Sequence, residues 1–367
     1  MAKTINIDND KKEIIRNLQK AVQSANLNFL FGSGCSTPVL QVLQNIEQEI
    51  EKLRSENKDN EANKKLSEFL ASFLESTNIL VEDQFIEKCE TTEQCNLLKT
   101  FQNYRKFIQA ISNILFERKS NILHKQATIF TTSYDLFIEK ASESLSESVI
   151  LNDGFNRTPS LTNSYTFSPK QFFNTVFNTG NLYNYQVQVP VINLVKLHGS
   201  LNWQPGANTI IQSLCYLKKA DGLKDETGAD KIAEFIDLFS LVLPKKDKFK
   251  ETILNQTYYD LLRIYTNELD RENTLLIAEG FSFADEHILD LTKRALKNPT
   301  LKLVIFCFDK DPKEYVDKFS SFNNVDIIYS EKENLDFKMF NSILLDILPQ
   351  KPDTPVDKVE TRESADE

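Results

Sequence analysis

Six short runs of Leu, Ile, Val and Phe stand out along this chain, at 27–31, 128–132, 192–197, 274–279, 302–308 and 325–329. Most are nearly continuous in apolar residues rather than alternating, the signature of strands buried on both faces. Between them apolar positions recur at three- and four-residue spacing. That spacing predicts helices over 11–23, 41–53, 64–74, 92–116, 136–145, 233–239, 258–269, 288–296 and 335–348. Strands separated by helical or long connections predict the α/β class: a Rossmann-like, mainly parallel sheet with helices on both faces. The stretch 39–123 is the exception, supplying helices and no comparable strand. We read it as a helical insertion or cap, placed to roof a site or to make an oligomer contact. Residues 1–348 read as a single domain, and the tail 349–367, with its prolines and mixed charges, reads as disordered.

In parallel sheets ligands bind beyond the carboxyl ends of the strands, so the residues that follow each run carry the chemistry. The first run leads into Gly32, Ser33, Gly34, Cys35 and Ser36. The backbone amides of such a turn suit an anion such as a pyrophosphate; the alternative is a tight strand-to-helix connection without a ligand. The second run passes Thr132 to reach Ser133 and Asp135. Asp135 is either the N-cap of the next helix or a carboxylate that meets a ligand. The third ends at His198 and Gly199, with Asn202 and the only Trp shortly after, and the fourth ends at Gly280 and Ser282. Only nine glycines occur in 367 residues. Those at strand ends therefore answer a backbone or close-approach requirement.

Composition narrows the chemistry. With 41% hydrophobic and 26% charged residues the chain has the make-up of a globular protein. No apolar run approaches the roughly 20 residues that span a bilayer, and the N-terminus lacks a signal-peptide core. A cytoplasmic protein without membrane contact is expected. The net charge of −10 disfavours direct nucleic acid binding. A basic cluster at 245–250 reads as a phosphate contact or as solvated surface. The five cysteines are scattered without a C-x-x-C pair, which predicts reduced thiols and no zinc. A G-x-S-x-G elbow, a phosphate loop ending in Gly-Lys-Ser/Thr and metal-ligand clusters are all missing from the sequence, against the corresponding hydrolases. A histidine beside a dinucleotide-type turn suits chemistry on a ribose, where imidazole accepts a hydroxyl proton. The competing reading of His198 is a structural histidine.

Taken in order, Phe31 to Ser36, Thr131 to Asp135, Lys196 to Trp203 and Gly280 to His287 resemble the motifs of the bacterial sirtuin-like domain, in the branch found among anti-phage defence NADases. The resemblance spans roughly residues 24 to 310. It implies NAD as the substrate, cleaved at the nicotinamide–ribose bond to give nicotinamide and ADP-ribose, with depletion of NAD as the defence. It implies His198 and Ser133 as catalytic residues. It assigns Gly32, Ser33, Gly34, Cys35, Ser36, Thr132, Asp135, Asn202, Gly280 and Ser282 to NAD binding. Two departures matter. The four-cysteine zinc ribbon of protein-deacylating sirtuins is missing, with only Cys215 in the corresponding region, which points away from deacylation. Serine stands at 133 where the family has asparagine, leaving as alternative a catalytically weakened NAD- or ADP-ribose-binding scaffold subunit. The layout resembles stand-alone subunits paired with a HerA-type DNA-translocating ATPase, which implies that partner and a homo-oligomer.

Overall fold

The computed structural model describes residues 1–348 except 41–42, 82–90, 119–121, 144–148, 158–163, 180–185, 207–208, 214, 225–227 and 243–255. The tail 349–367 and the basic cluster 245–250 lie outside the described residues.

Eight strands form one sheet, with every neighbouring pair parallel. In chain order they are β1 (Lys3–Asn6), β2 (Asn26–Phe31), β3 (Gln126–Thr131), β4 (Ile150–Asn152), β8 (Val191–Lys196), β11 (Thr274–Glu279), β12 (Leu301–Phe306) and β13 (Val325–Tyr329). The short strands β5 (Tyr165–Thr166), β9 (Trp203–Pro205) and β10 (Ile210–Gln212) form a small antiparallel sheet, and β6 (Val176–Asn178) pairs with β7 (Val187–Val189). Across the large sheet the order is β1-β13-β12-β11-β2-β3-β8-β4. The six strands expected from sequence are therefore present. The sheet extends beyond them by β1 and β4, four and three residues long, too short to show a pattern.

Buried side chains of β8 alternate between two cores, as the two-residue strand period requires. Ile192 and Leu194 belong to one; Val195 belongs to the other. The first core takes side chains from α1 (Ile7–Ser24), α4 (Thr92–Glu117), α5 (Phe137–Glu143) and the closing helix Phe337–Ile347. Phe31 sits there among Phe107, Phe337 and Phe340, with ring centroids 4.5, 5.5 and 6.1 Å away. The second core takes Leu261 and Tyr265 from the helix Gln256–Asp270 and Ile288 from the helix Glu286–Ala295. Within the 39–123 block, α2 (Leu43–Ser55) packs on α3 (Asp59–Val81), while α4 lies against α5 and the closing helix. Its inward face, Phe101, Tyr104, Phe107, Ile108 and Ile111, is buried, so this part of the block serves as a crossover helix between β2 and β3.

That arrangement sets the switch point. The chain leaves β2 over the first face towards β3, whereas the helices flanking β11 cover the second face. Adjacent strands β2 and β11 thus diverge to opposite sides, and their carboxyl ends frame the crevice in which such sheets bind ligands. Cys35 and Cys307 are free thiols, as expected. Cys95 is not: it is disulfide-bonded. Among the described residues no helix is long and apolar enough to cross a membrane.

Candidate active site

At the switch point two turns interlock. Beyond β2, Ser33–Ser36 forms a single 3-10 turn. Its neighbour across the crevice is the turn after β11, where Gly280 adopts φ +60°. The Gly32 amide donates to the Glu279 carbonyl at 3.3 Å, and the Gly34 amide donates to the Gly280 carbonyl at 3.1 Å. A Cβ on Gly32 would lie 2.2 Å from the Gly280 oxygen, and one on Gly280 would lie 2.6 Å from the Cys35 nitrogen. Glycine is needed here for close approach of two backbones. The amides of Gly32, Gly34 and Cys35 all donate within the protein in the present conformation. Burial, reinforced by Glu279, raises the Cys35 thiol well above its ordinary value. It is a packed thiol rather than a nucleophile.

Beside this interlock lies a buried polar network centred on Asp135. Its Oδ2 accepts hydrogen bonds from the hydroxyls of Ser36, at 2.8 Å, and Ser133. Ser36 has one proton to give, so the Tyr104 hydroxyl, 2.8 Å away, donates to Ser36. Burial, followed by the charge of Asp135, raises Tyr104 well above the usual phenol range. The other carboxylate oxygen accepts the Phe137 amide at 3.1 Å. Asp135 therefore holds the first amide of α5, and it also gathers the hydroxyls of two strand ends. Thr132 is buried next to them, its amide donating to the Phe31 carbonyl.

At the end of β8, Lys196 is buried and donates to Glu139 at 2.7 Å, to Ser200 at 2.8 Å and to the Asp135 carbonyl. Desolvation raises the Glu139 carboxyl, opposed by Lys196. Two residues on, His198 is fully buried, with 0% exposure. Its Nε2 is 3.1 Å from His287 Nε2, in the helix Glu286–Ala295. Gly199, at φ +91°, turns the chain away under the Ser240 carbonyl. Trp203 is packed among Phe155 and Phe167, with centroids at 5.4 and 5.9 Å, and is core.

Asn202 follows Leu201, whose amide donates to the Tyr134 carbonyl at 3.1 Å. It borders a cavity of about 720 Å³ with Gln212, Asp153 and Glu139, and Leu80 and Val81 at the end of α3 also line it. Only 4% of Asn202 is exposed, and its Oδ1 has no hydrogen-bond partner among the described residues. His198 is not in that lining. Ser282 is half-buried, and its carbonyl holds Lys318 at 2.7 Å. The fold thus groups Gly32, Ser33, Gly34, Cys35 and Gly280 in one interlock, Ser36, Ser133 and Asp135 in one network, and leaves Asn202 and Ser282 at its margins.

Several participants carried no site assignment from the sequence: Tyr104, Glu139, Lys196, Asp285 and His287. Lys196 had a signal, being the one charge in the apolar run 192–197. Tyr104 lies on a helix whose apolar spacing absorbs it without trace.

A family model described as a SIR2-like domain matches residues 127–328, more than half of the chain. The chain belongs to this SIR2-like family, which includes NAD-dependent enzymes. No curated protein matches it. The matched region contains Ser133, Asp135, His198 and Gly280 but begins after the Gly32 turn, which the interlock with Gly280 ties to it.

Proposed function

We propose that this chain hydrolyses NAD⁺ to nicotinamide and ADP-ribose, with water as the acceptor and one proton released. The observation that carries the reading is the convergence at one sheet edge of His198, the Ser133–Asp135 network and the Gly32 and Gly280 turns, in a chain of the SIR2-like family. His198 accepts a proton from a ribose hydroxyl and raises electron density on the ring as the nicotinamide bond breaks. The turns receive the pyrophosphate, and Ser282 and Gly280 contact the adenosine side. Ser133 stands in for the family amide that positions ribose and water. Because His198 is fully buried and the Gly32, Gly34 and Cys35 amides are internally bonded, substrate is admitted by a local opening of these loops. The cavity beside Asn202 has a volume typical of small-molecule sites.

The biological setting belongs to the same proposal: NAD depletion in anti-phage defence, by a cytoplasmic homo-oligomer acting with a HerA-type ATPase. The test is to incubate the chain with NAD⁺, alone and with such an ATPase, and to quantify nicotinamide and ADP-ribose. Equal release of the two supports hydrolysis. No release in either state contradicts it.

A second reading has its own observations, Ser133 in the asparagine position and the burial of His198. On that reading the chain is a nucleotide-binding scaffold subunit. Calorimetric binding of NAD⁺ or ADP-ribose without nicotinamide release favours it.

A further inference from the structure

His198 and His287 are 89 residues apart in sequence, yet their Nε2 atoms meet at 3.1 Å. Asp285 is the N-cap of the helix that carries His287, but its side chain makes no capping hydrogen bond. Its Oδ1 lies 3.9 Å from His287 Nδ1 instead. One ligand atom from each of His198, Asp285 and His287 lies within 4.8 Å of the other two. Both imidazoles are buried and the carboxylate is half-buried. Spacing along the chain conceals this set, because its members come from two distant strand ends.

Two imidazoles and one carboxylate make the ligand set of a zinc-type centre with its fourth position open. With metal–nitrogen bonds of about 2.0–2.1 Å, adjacent nitrogens of a tetrahedral site are about 3.3 Å apart, close to the separation here. The carboxylate stands farther off, within the 4.8 Å span of the set. Nitrogen donors select this class of ion over magnesium or calcium, which prefer oxygen.

We propose that His198, His287 and Asp285 bind one divalent transition-metal ion of the zinc class, and that the bound ion silences His198 as a base. Each imidazole binds as the neutral tautomer protonated at Nδ1, so the proton shared between the two Nε2 atoms moves to a ring Nδ1 with no net release. An imidazole ligated at Nε2 and protonated at Nδ1 has no lone pair left for a ribose proton. The regulatory half rests on the role given to His198 above; the binding half stands without it.

The test is to titrate the full chain with Zn²⁺ by calorimetry and with Co²⁺ by visible absorption, in the absence of NAD⁺. One ion per chain, with the ligand-field bands of tetrahedral Co²⁺, is expected. His287→Gln and Asp285→Asn should each weaken binding by at least about tenfold, as loss of a ligand or its support does. Thermal melts identify a variant that has unfolded, in which case the other variant decides. An affinity unchanged in the folded variants, or no ion bound by the wild type, overturns the site. Nicotinamide release should fall in step with Zn²⁺ occupancy and return with chelator. Turnover unaffected at saturating Zn²⁺ overturns the inhibition. If no nicotinamide forms even with chelator, the hydrolase reading has failed, and the ion stoichiometry still decides the metal site.

Discussion

Gly32 has 2.2 Å between its would-be Cβ and the Gly280 oxygen, a contact that backbone on backbone cannot relieve. Gly32→Ala should therefore lower stability by about 1–3 kcal/mol, read as an earlier midpoint in urea. A larger or equal loss at Gly228, where a Cβ would meet only a lysine methylene at 3.9 Å, would contradict the interlock. Glu279 supplies a pH-dependent counterpart. Its carboxyl is raised well above the ordinary value by burial and then by Asp336, and one oxygen has no hydrogen-bond partner among the described residues. The folded state keeps this proton to a higher pH than the unfolded chain. The stability it contributes is present below the unfolded carboxyl value and lost as pH rises through the raised one. Glu279→Gln, which mimics the protonated form, should raise the melting temperature near pH 8 and leave it almost unchanged near pH 4. An equal effect at both would show that the carboxyl is not perturbed. At this scale the positions of the strand-end glycines were legible in the sequence, because glycine is so scarce. The reason for two of them, an approach of one turn to another 248 residues away, was not.

The decisive element is β8 and the turn beyond it. The run 192–197 was plain as a strand, yet its one charge, Lys196, is what joins the strand to α5 through Glu139 and to Asp135 and Ser200. Removing one partner of a buried pair costs about 3–5 kcal/mol, since the other charge is left behind. Lys196→Met should destabilise by that order, and the double variant Lys196→Met/Glu139→Leu by much less, as measured by denaturant unfolding. Equal losses would place the effect in packing alone. Helix α4 was likewise visible as a periodic segment, but sequence could not show which face meets the sheet. Tyr104 reads as one more apolar position in that period; only the docking of α4 on α5 and the closing helix brings its hydroxyl to Ser36. The edge strands β1 and β4 escaped because a few residues cannot display a period.

For the whole molecule, the order of strands matters more than their number. Placing β2 next to β11 brings together turns that no local pattern could pair, and their shared carboxyl edge is where the proposed function seats the nucleotide. The α/β class and the parallel character of the sheet were legible from uninterrupted apolar strands between helices. The strand order was not, since it depends on contacts between segments far apart in sequence. The same limit hid the His198–His287 pair. Cleavage of NAD⁺ at this edge with His198 as the base is the proposal on which the functional reading depends. Its most direct test is nicotinamide release by the chain beside His198→Gln and Ser133→Asn. Release by the parent is expected, with loss of at least about a hundredfold in His198→Gln, the lower range for a general base, and retained or increased release in Ser133→Asn. Turnover by the parent that persists in His198→Gln would contradict the proposal.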